Sequence, residues 1–207
     1  MLLNTMKTLI LLFVALPFRH SSVPGIWMFV RQEDGIKMYN RQSAQSKFND
    51  IKIETDLPGN LTQIAAILLD VGKYTEWAYA TKSAVVVKKI SNDEFIYYSE
   101  IDVPWPANNR DFYAHCKATF DPASRSLKVT SVSIKDYLPE KKNIVRIPLS
   151  KGLWNITAVS DKMIHVEYIL EFDPGGIVPA WLLNLFSTKG PMETFANLKH
   201  KMQLLNK

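Results

Sequence analysis

The stretch DVPWPANNRDFYAHC, residues 102–116, joins a rigid turn to the beginning of a long strand. Prolines stand on both sides of Trp105, and each proline restricts the backbone to conformations suited to a corner. A short spacer then leads to Arg110 and Asp111, after which apolar and polar residues alternate as they do in a strand. This stretch predicts a fixed corner that leads into a strand.

Alternation along this strand places Phe112, Ala114 and Cys116 on one face, while Tyr113 and His115 point to the other face. We assign the first face to the interior. Small residues between phenylalanines leave the space that a cavity wall requires, unless a large neighbouring side chain fills it.

The same alternation turns Tyr97 and Ser99 of the preceding strand inward, where their hydroxyl groups face a ligand head group. Tyr168, on a later strand, faces inward as well. These residues extend the predicted interior surface over three strands.

Outward from this stretch, the chain contains a helix among early strands, a long run of strands with short connections, and a terminal helix. Short connections favour antiparallel pairing, so the fold class is α+β. We expect a short helix that ends at Gly35, a helix capped by Asn60 or Asp56, and a final helix that follows Gly176. The predicted strands are IKMYNR, KFNDIKIET, SAVVVKKI, EFIYYSEIDV, DFYAHCKATF, SLKVTSVSI, NIVRIPL, GLWNITAV and MIHVEYILEF.

Four segments together resemble START domains, the lipid-transfer modules related to the steroidogenic acute regulatory protein. They are WMFVRQEDGIKMY, DVGKYTEWAYATKSAVVV, DVPWPANNRDFYAHC and FDPGGIVPAWLLNLFSTKGPMETFANLK. The resemblance implies a helix-grip fold, in which a curved antiparallel sheet of about nine strands wraps a long C-terminal helix around an internal apolar tunnel. The START-like lipid-binding domain is expected to span residues 23–207.

Sterol-carrying START domains are similar to one another in placing an arginine and an acidic residue inside the cavity. Aligned on the Arg-Asp-Phe landmark, these positions fall at Cys116 and near Tyr97, and neither residue is charged. A buried charge is costly without its partner, so a chain that lacks one of the two charged residues is expected to lack the other as well. This departure argues against a sterol and for a more uniformly apolar cavity.

The C-terminal segment carries more apolar residues than one buried stripe requires. Leu185, Met192, Phe195, Leu198, Met202 and Leu205 form the stripe predicted to face the sheet. Trp181, Leu182 and Phe186 remain, and we expect them to cover the tunnel entrance or to touch a membrane. Gly190-Pro191 is predicted to kink the helix. The candidate ligand-binding residues are Tyr97, Ser99, Phe112, Ala114, Cys116, Tyr168, Trp181, Leu185 and Phe186.

The resemblance implies non-catalytic binding, and transfer, of a lipid in a tunnel gated by the C-terminal helix. The alternative is a cyclase or aromatase of the polyketide type on the same scaffold. A third interpretation is an interaction module with a filled interior. His115 and Cys116 point to opposite faces and cannot form a catalytic dyad on a strand. The four histidines lack the spacing of metal ligands, so no metal site is predicted. No catalytic residues and no cofactor are predicted either.

The first 22 residues have the order of a signal peptide: Lys7 is followed by an apolar run over 9–16. We expect export to the periplasm or secretion from a bacterium. Cleavage would remove Lys7 and Arg19 and lower the formal charge from +5 to about +3, too little to predict nucleic-acid binding. The expected partners are a lipid or another apolar small molecule and, transiently, a membrane. Cys116 is the only cysteine, which excludes an internal disulfide, and a monomer is expected.

Overall fold

A computed structural model describes residues 25–206. The predicted signal peptide lies outside the described residues. The strands are β1 (Met28–Glu33), β2 (Ile36–Arg41), β3 (Asp50–Pro58), β4 (Thr81–Lys89), β5 (Glu94–Ile101), β6 (Asn109–Asp121), β7 (Ser126–Ser133), β8 (Ile144–Arg146), β9 (Leu149–Ser160) and β10 (Met163–Asp173). The helices are α1 (Leu61–Leu69), a 3₁₀ helix (Val71–Glu76), α2 (Ala180–Asn184), a π-helical turn (Leu185–Lys189) and α3 (Gly190–Leu204).

The ten strands form one open sheet, and nine of them follow the order β1-β2-β3-β10-β9-β7-β6-β5-β4. Neighbours along this path are antiparallel, and β8 adds a short parallel pairing to β6. The sheet confirms the predicted α+β helix-grip fold. The chain folds through hairpins at both ends of the path, and β3 meets β10 where the two ends join.

The predicted first helix is wrong, because residues 28–33 form the edge strand β1. Asp34 and Gly35 have φ angles of +47° and +75°, so they form the two-residue turn that an Asp-Gly pair favours in hairpins. Register confirms the hairpin, since Glu33 pairs with Ile36. Aromatic and β-branched residues at Phe29 and Val30 are compatible with a strand. This strand accounts for the tenth member of a sheet expected to have about nine.

Helix α1 begins at a capping box, and its N-cap is Asn60, one of the two residues predicted for this role. The Asn60 side chain accepts a hydrogen bond from the backbone N–H of Gln63 at 3.0 Å, and the Gln63 side chain accepts one from the N–H of Asn60. Its buried face consists of Ile64, Ile67 and Leu68. The 3₁₀ helix that follows leads the chain across one end of the sheet.

The C-terminal helix consists of α2, the π turn and α3, together 25 residues long. Met192, Phe195, Leu198 and Met202 are buried in the core, which confirms that part of the stripe. Leu205 is about half exposed, so its assignment to the sheet-facing side is wrong. The buried stripe ends with Met202, close to the end of α3 at Leu204.

The π turn lies directly before Gly190 and Pro191, where a kink was predicted. Proline has no N–H to donate, and its ring would collide with the carbonyl group four residues earlier in a regular α-helix. A π turn widens the helix locally and removes that collision. The helix therefore continues through the proline with its hydrogen-bond pattern changed just before it.

Candidate functional site

A cavity of about 220 Å³ lies between the concave face of the sheet and the C-terminal helix. Strands β5, β6, β7, β9 and β10 supply its walls, and residues from the 3₁₀ helix, the π turn and α3 close it. The interpretation of a filled interior is therefore wrong, because space remains between the sheet and the helix.

Aromatic rings make up much of the wall. Phe195 of α3 stacks on Trp154 of β9 at 5.3 Å between ring centroids, and Tyr168 of β10 lies 4.3 Å from the same Trp154. On the other side, Tyr97 of β5 meets Phe112 of β6 edge-on at 5.8 Å. Such edge-on and offset contacts fix ring positions. The rings brace one another and keep the cavity from collapsing.

The few polar groups at the cavity are neutral. Tyr97 and Ser131 share a hydrogen bond of 2.8 Å between their hydroxyl oxygens, and the Tyr74 hydroxyl donates to the Leu68 carbonyl at 2.6 Å. Burial raises the pKa of Cys116 to about 12 and raises the pKa of the Tyr97 and Tyr168 hydroxyls well above 10. All three groups therefore keep their protons at neutral pH.

This chemistry suits binding better than catalysis. Every described residue that lines the cavity is apolar, aromatic, glycine, threonine, serine or cysteine. General acid–base catalysis needs a group whose pKa lies near the working pH, and the Cys116 thiol and the tyrosines have pKa values far above it. Within residues 25–206, no three potential metal ligands cluster together.

Seven of the nine predicted ligand-binding residues line the cavity, namely Tyr97, Ser99, Phe112, Cys116, Tyr168, Leu185 and Phe186. Ala114 lies on the predicted inner face and is fully buried, but it is not among the residues that line the cavity. Trp181 is 43% exposed and does not line the cavity. Leu182, predicted to cover the entrance or touch a membrane, is fully buried.

Arg110 and Asp111, near the start of β6, lie on opposite faces of the sheet. Asp111 points outward and receives two hydrogen bonds from Arg146, the shorter at 2.6 Å. Arg110 is 2% exposed and donates to the backbone carbonyls of Asn108 and, at 3.4 Å, of Ile177. Arg110 and Asp111 therefore do not act as a pair, because neighbouring residues on a strand face opposite sides.

Glu100 of β5 belongs to a second buried polar network. It is buried on the outer face, where Lys82 Nζ and Asn109 Nδ2 both donate to its Oε1 at 2.9 Å. Asn109 Oδ1 in turn accepts from the backbone N–H of Val103 at 3.0 Å. This network fixes the corner around Trp105 to the strands beside it.

The START domain family model matches residues 22–207, which is nearly the whole chain. The chain belongs to the START domain family. An uncharacterised protein of Pseudomonas aeruginosa is 31% identical over 176 residues, which cover 84% of this chain and 85% of that protein. Mouse phosphatidylcholine transfer protein is 26% identical, with 79% of this chain and 78% of the relative covered.

A solved START structure shares the architecture. The crystal structure of a STAR-related lipid transfer protein from Xanthomonas axonopodis superposes with a TM-score of 0.76 at 27% identity. The superposition covers 86% of this chain and 98% of the Xanthomonas chain. The family match and these relatives support lipid binding and transfer at the level of the family, and they support a non-catalytic role.

Sequence reasoning missed several residues of this START cavity. Tyr74 comes from the 3₁₀ helix and Trp77 directly follows it, and so short a helix gives no periodic pattern. Trp154 comes from the middle of β9, where Trp154, Ile156 and Ala158 alternate with polar residues. Alternation along β9 was the available signal for Trp154, and it places this ring on the inner face.

Proposed function

We propose that this START domain binds one lipid molecule in the cavity and carries it without altering it chemically. The observation that carries the proposal is the cavity itself, walled by aromatic and aliphatic side chains and closed by the C-terminal helix. Burial of apolar surface is worth about 25 cal/mol per Å². An acyl chain is therefore stabilised in such a cavity without any specific contact.

The cavity volume favours a gated mechanism. At about 220 Å³ the cavity lies below the range of about 300–1,000 Å³ that is usual for ligand pockets. A long acyl chain requires the enclosing elements to move outward, and the C-terminal helix is the element that closes one side. We propose that this helix is the gate, with the π turn and the paired glycines Gly175 and Gly176 as its adjustable points.

A membrane contact completes the proposed cycle. Trp105 is 91% exposed, Ile177 is 89% exposed and Trp181 is 43% exposed. The hydrogen bonds of Arg110 join the segments of Trp105 and Ile177 at the cavity end, since Arg110 contacts both Asn108 and Ile177. Tryptophan favours the interface between water and lipid. We propose that these side chains touch a membrane while the gate opens, and that the protein acts as a monomer.

Transfer of a fluorescent phosphatidylcholine from quenched donor vesicles to unlabelled acceptor vesicles tests this function. The mouse relative makes phosphatidylcholine the first lipid to examine. We expect catalytic amounts of protein to raise the transfer rate well above the spontaneous rate. Replacement of Trp105 and Trp181 by alanine should slow transfer, whereas Val159→Ala, at an exposed residue of β9, should not. Unchanged transfer in the presence of protein, for this and other lipids, would contradict the proposal.

Export of the protein remains a separate proposal, supported by the order of charged and apolar residues in 1–22. Expression of the full chain in a bacterium, followed by fractionation and amino-terminal sequencing, tests it. A periplasmic or secreted product that begins near residue 23 is expected, and an intact cytoplasmic product would contradict it.

A further inference from the structure

Arg110 is a buried cation with no carboxylate partner among the described residues. Its guanidinium donates only to backbone carbonyls, those of Asn108 and Ile177, and its Nε is buried without a hydrogen-bond partner. Burial lowers the pKa of this guanidinium from its ordinary value, yet arginine keeps its charge in proteins. A buried charge is costly unless it is paired, so this side chain lacks a counter-charge.

The neighbouring arginine shows what a compensated site in this region looks like. Arg146 donates two hydrogen bonds to the Asp111 carboxylate, which is also buried. The nearest acid in the sequence is therefore committed to Arg146 on the outer face of the sheet. Arg110, on the inner face, is left without an acid.

Arg110 does not line the cavity itself, but it lies beside residues that do. It pairs across the sheet with Ile101, and directly opposed residues project from the same face. Ile101 lines the cavity, and so does Phe112 two residues after Arg110. The Arg110 guanidinium carbon lies 6.0 Å from the ring centroid of Phe186, another lining residue. The guanidinium therefore lies at the end of the cavity, behind Phe186 of the π turn.

We propose that Arg110 binds the anionic head group, a carboxylate or a phosphate, of the lipid whose apolar part occupies the cavity. This inference rests on the proposed function and adds the charge class of the ligand. A guanidinium matches both anions because it presents parallel N–H donors. Outward movement of the 177–186 segment would remove the Ile177 carbonyl and the Phe186 ring from Arg110. The anion would then take their place and supply the absent counter-charge.

A matched pair of probes tests the proposal without any mutation. cis-Parinaric acid carries a carboxylate, its methyl ester carries none, and both fluoresce when they enter an apolar site. We expect the acid to bind at least about tenfold more tightly than the ester, because a hydrogen bond to a charged group usually strengthens binding by about that factor or more. Competition with a monoacylglycerol phosphate and with the corresponding monoacylglycerol shows whether phosphate is preferred in the same way.

Variants then assign the preference to this residue. Arg110→Met should reduce affinity for the acid about tenfold or more and leave the ester almost unchanged, while Arg110→Lys should retain part of the preference. Arg125→Gln removes an equal charge from an exposed turn paired with Asp161 and should change neither affinity. Should Arg110→Met fail to fold, as shown by thermal unfolding, the lysine variant and the comparison of acid and ester in the wild type still test whether Arg110 binds the anion.

Three outcomes would overturn the inference. Equal binding of acid and ester by the wild type would leave the proposed function in place and remove the anion site. Equal loss of both probes in Arg110→Met would show that Arg110 only holds the segments together. Binding of neither probe by folded wild-type protein would contradict the anion site and count against the proposed function as well.

Discussion

Gly190 lines the cavity at the start of α3, where there is little room for a side chain. A Cβ atom there would lie 2.8 Å from the Leu185 carbonyl oxygen and 3.2 Å from a ring carbon of Tyr79. Such overpacking costs about 1–3 kcal/mol. We expect Gly190→Ala to lower the free energy of unfolding by that amount, measured by urea denaturation, although alanine favours helices in general.

Gly72 provides the matched control for that substitution. It lies in the 3₁₀ helix, and its nearest neighbour for an added Cβ is Asp70 Oδ1 at an ordinary 3.6 Å. Gly72→Ala should therefore leave the free energy of unfolding within about 0.5 kcal/mol of the wild type. An equal effect of the two substitutions would show that the crowding around Gly190 is not what matters.

Cys116 links burial to alkaline stability. Its pKa is about 12 in the folded protein, against an ordinary value of about 8.5 to 9. As the pH rises above 9, the unfolded chain loses the thiol proton while the folded chain retains it. The folded state therefore loses stability until the pH reaches about 12.

From pH 8 to pH 10 this one group is expected to remove about 1–2 kcal/mol from the free energy of unfolding. Cys116→Ala should lower stability at pH 8 because it removes buried volume, but its stability should fall less between the two pH values. Parallel declines of wild type and variant, measured by denaturation at both pH values, would contradict the buried neutral thiol.

Much of the cavity wall was predictable at this scale, since strict alternation in β5 and β6 places Tyr97, Ser99 and Phe112 correctly. Alternation cannot distinguish a cavity wall from a packed core, and Ala114 shows this difference. It faces inward as predicted and belongs to the buried core cluster, as Tyr97 does, but unlike Tyr97 it does not line the cavity. The side chains around an inward position decide its role, and they come from distant parts of the sequence.

At the scale of elements, α3 is held to the segment before β4 by two side chains. Thr194 Oγ1 accepts a hydrogen bond from the Tyr79 backbone N–H at 3.0 Å, and Asn197 Nδ2 donates to the Trp77 carbonyl at 3.2 Å. Thr194 also lines the cavity. These contacts oppose outward movement of the helix and belong to the closed state of the proposed gate.

Thr194→Val removes the hydroxyl acceptor with almost no change in volume. Loss of one hydrogen bond, worth about 0.5–1.5 kcal/mol, should raise the rate of lipid release about two- to tenfold, measured by vesicle transfer at saturating protein. Thr194→Ser keeps the hydroxyl and should release lipid at nearly the wild-type rate. Slower or unchanged release by the valine variant would argue against helix movement as the gating step.

Element prediction succeeded where a local signal was strong and failed where two signals competed. The capping box at Asn60 and the apolar spacing of α1 gave that helix directly. In the first described segment, the helix expected to end at Gly35 is a strand, and Asp34-Gly35 forms a hairpin turn. Edge strand β1 is exposed along its length, so no alternation between buried and exposed residues marked it as a strand.

For the whole molecule, the decisive property is a space that no single residue encodes. The sheet curves, aromatic rings from β5, β9, β10 and α3 brace one another, and a volume of about 220 Å³ remains. Sequence patterns identify which residues face inward. They do not show whether the volumes of these side chains together fill the space that the curved sheet encloses. The resemblance to START domains, rather than periodicity, gave the expectation of a tunnel.

The most direct test of lipid carriage is native mass spectrometry of the protein purified without detergent and then equilibrated with lipid vesicles. We predict a complex with one lipid molecule in the wild type. Ser150→Phe places a ring at the cavity wall and should reduce that complex strongly, whereas Ser124→Phe, on an exposed turn, should not. A wild-type protein that remains free of lipid under these conditions, or equal lipid loading of all three proteins, would contradict the central claim.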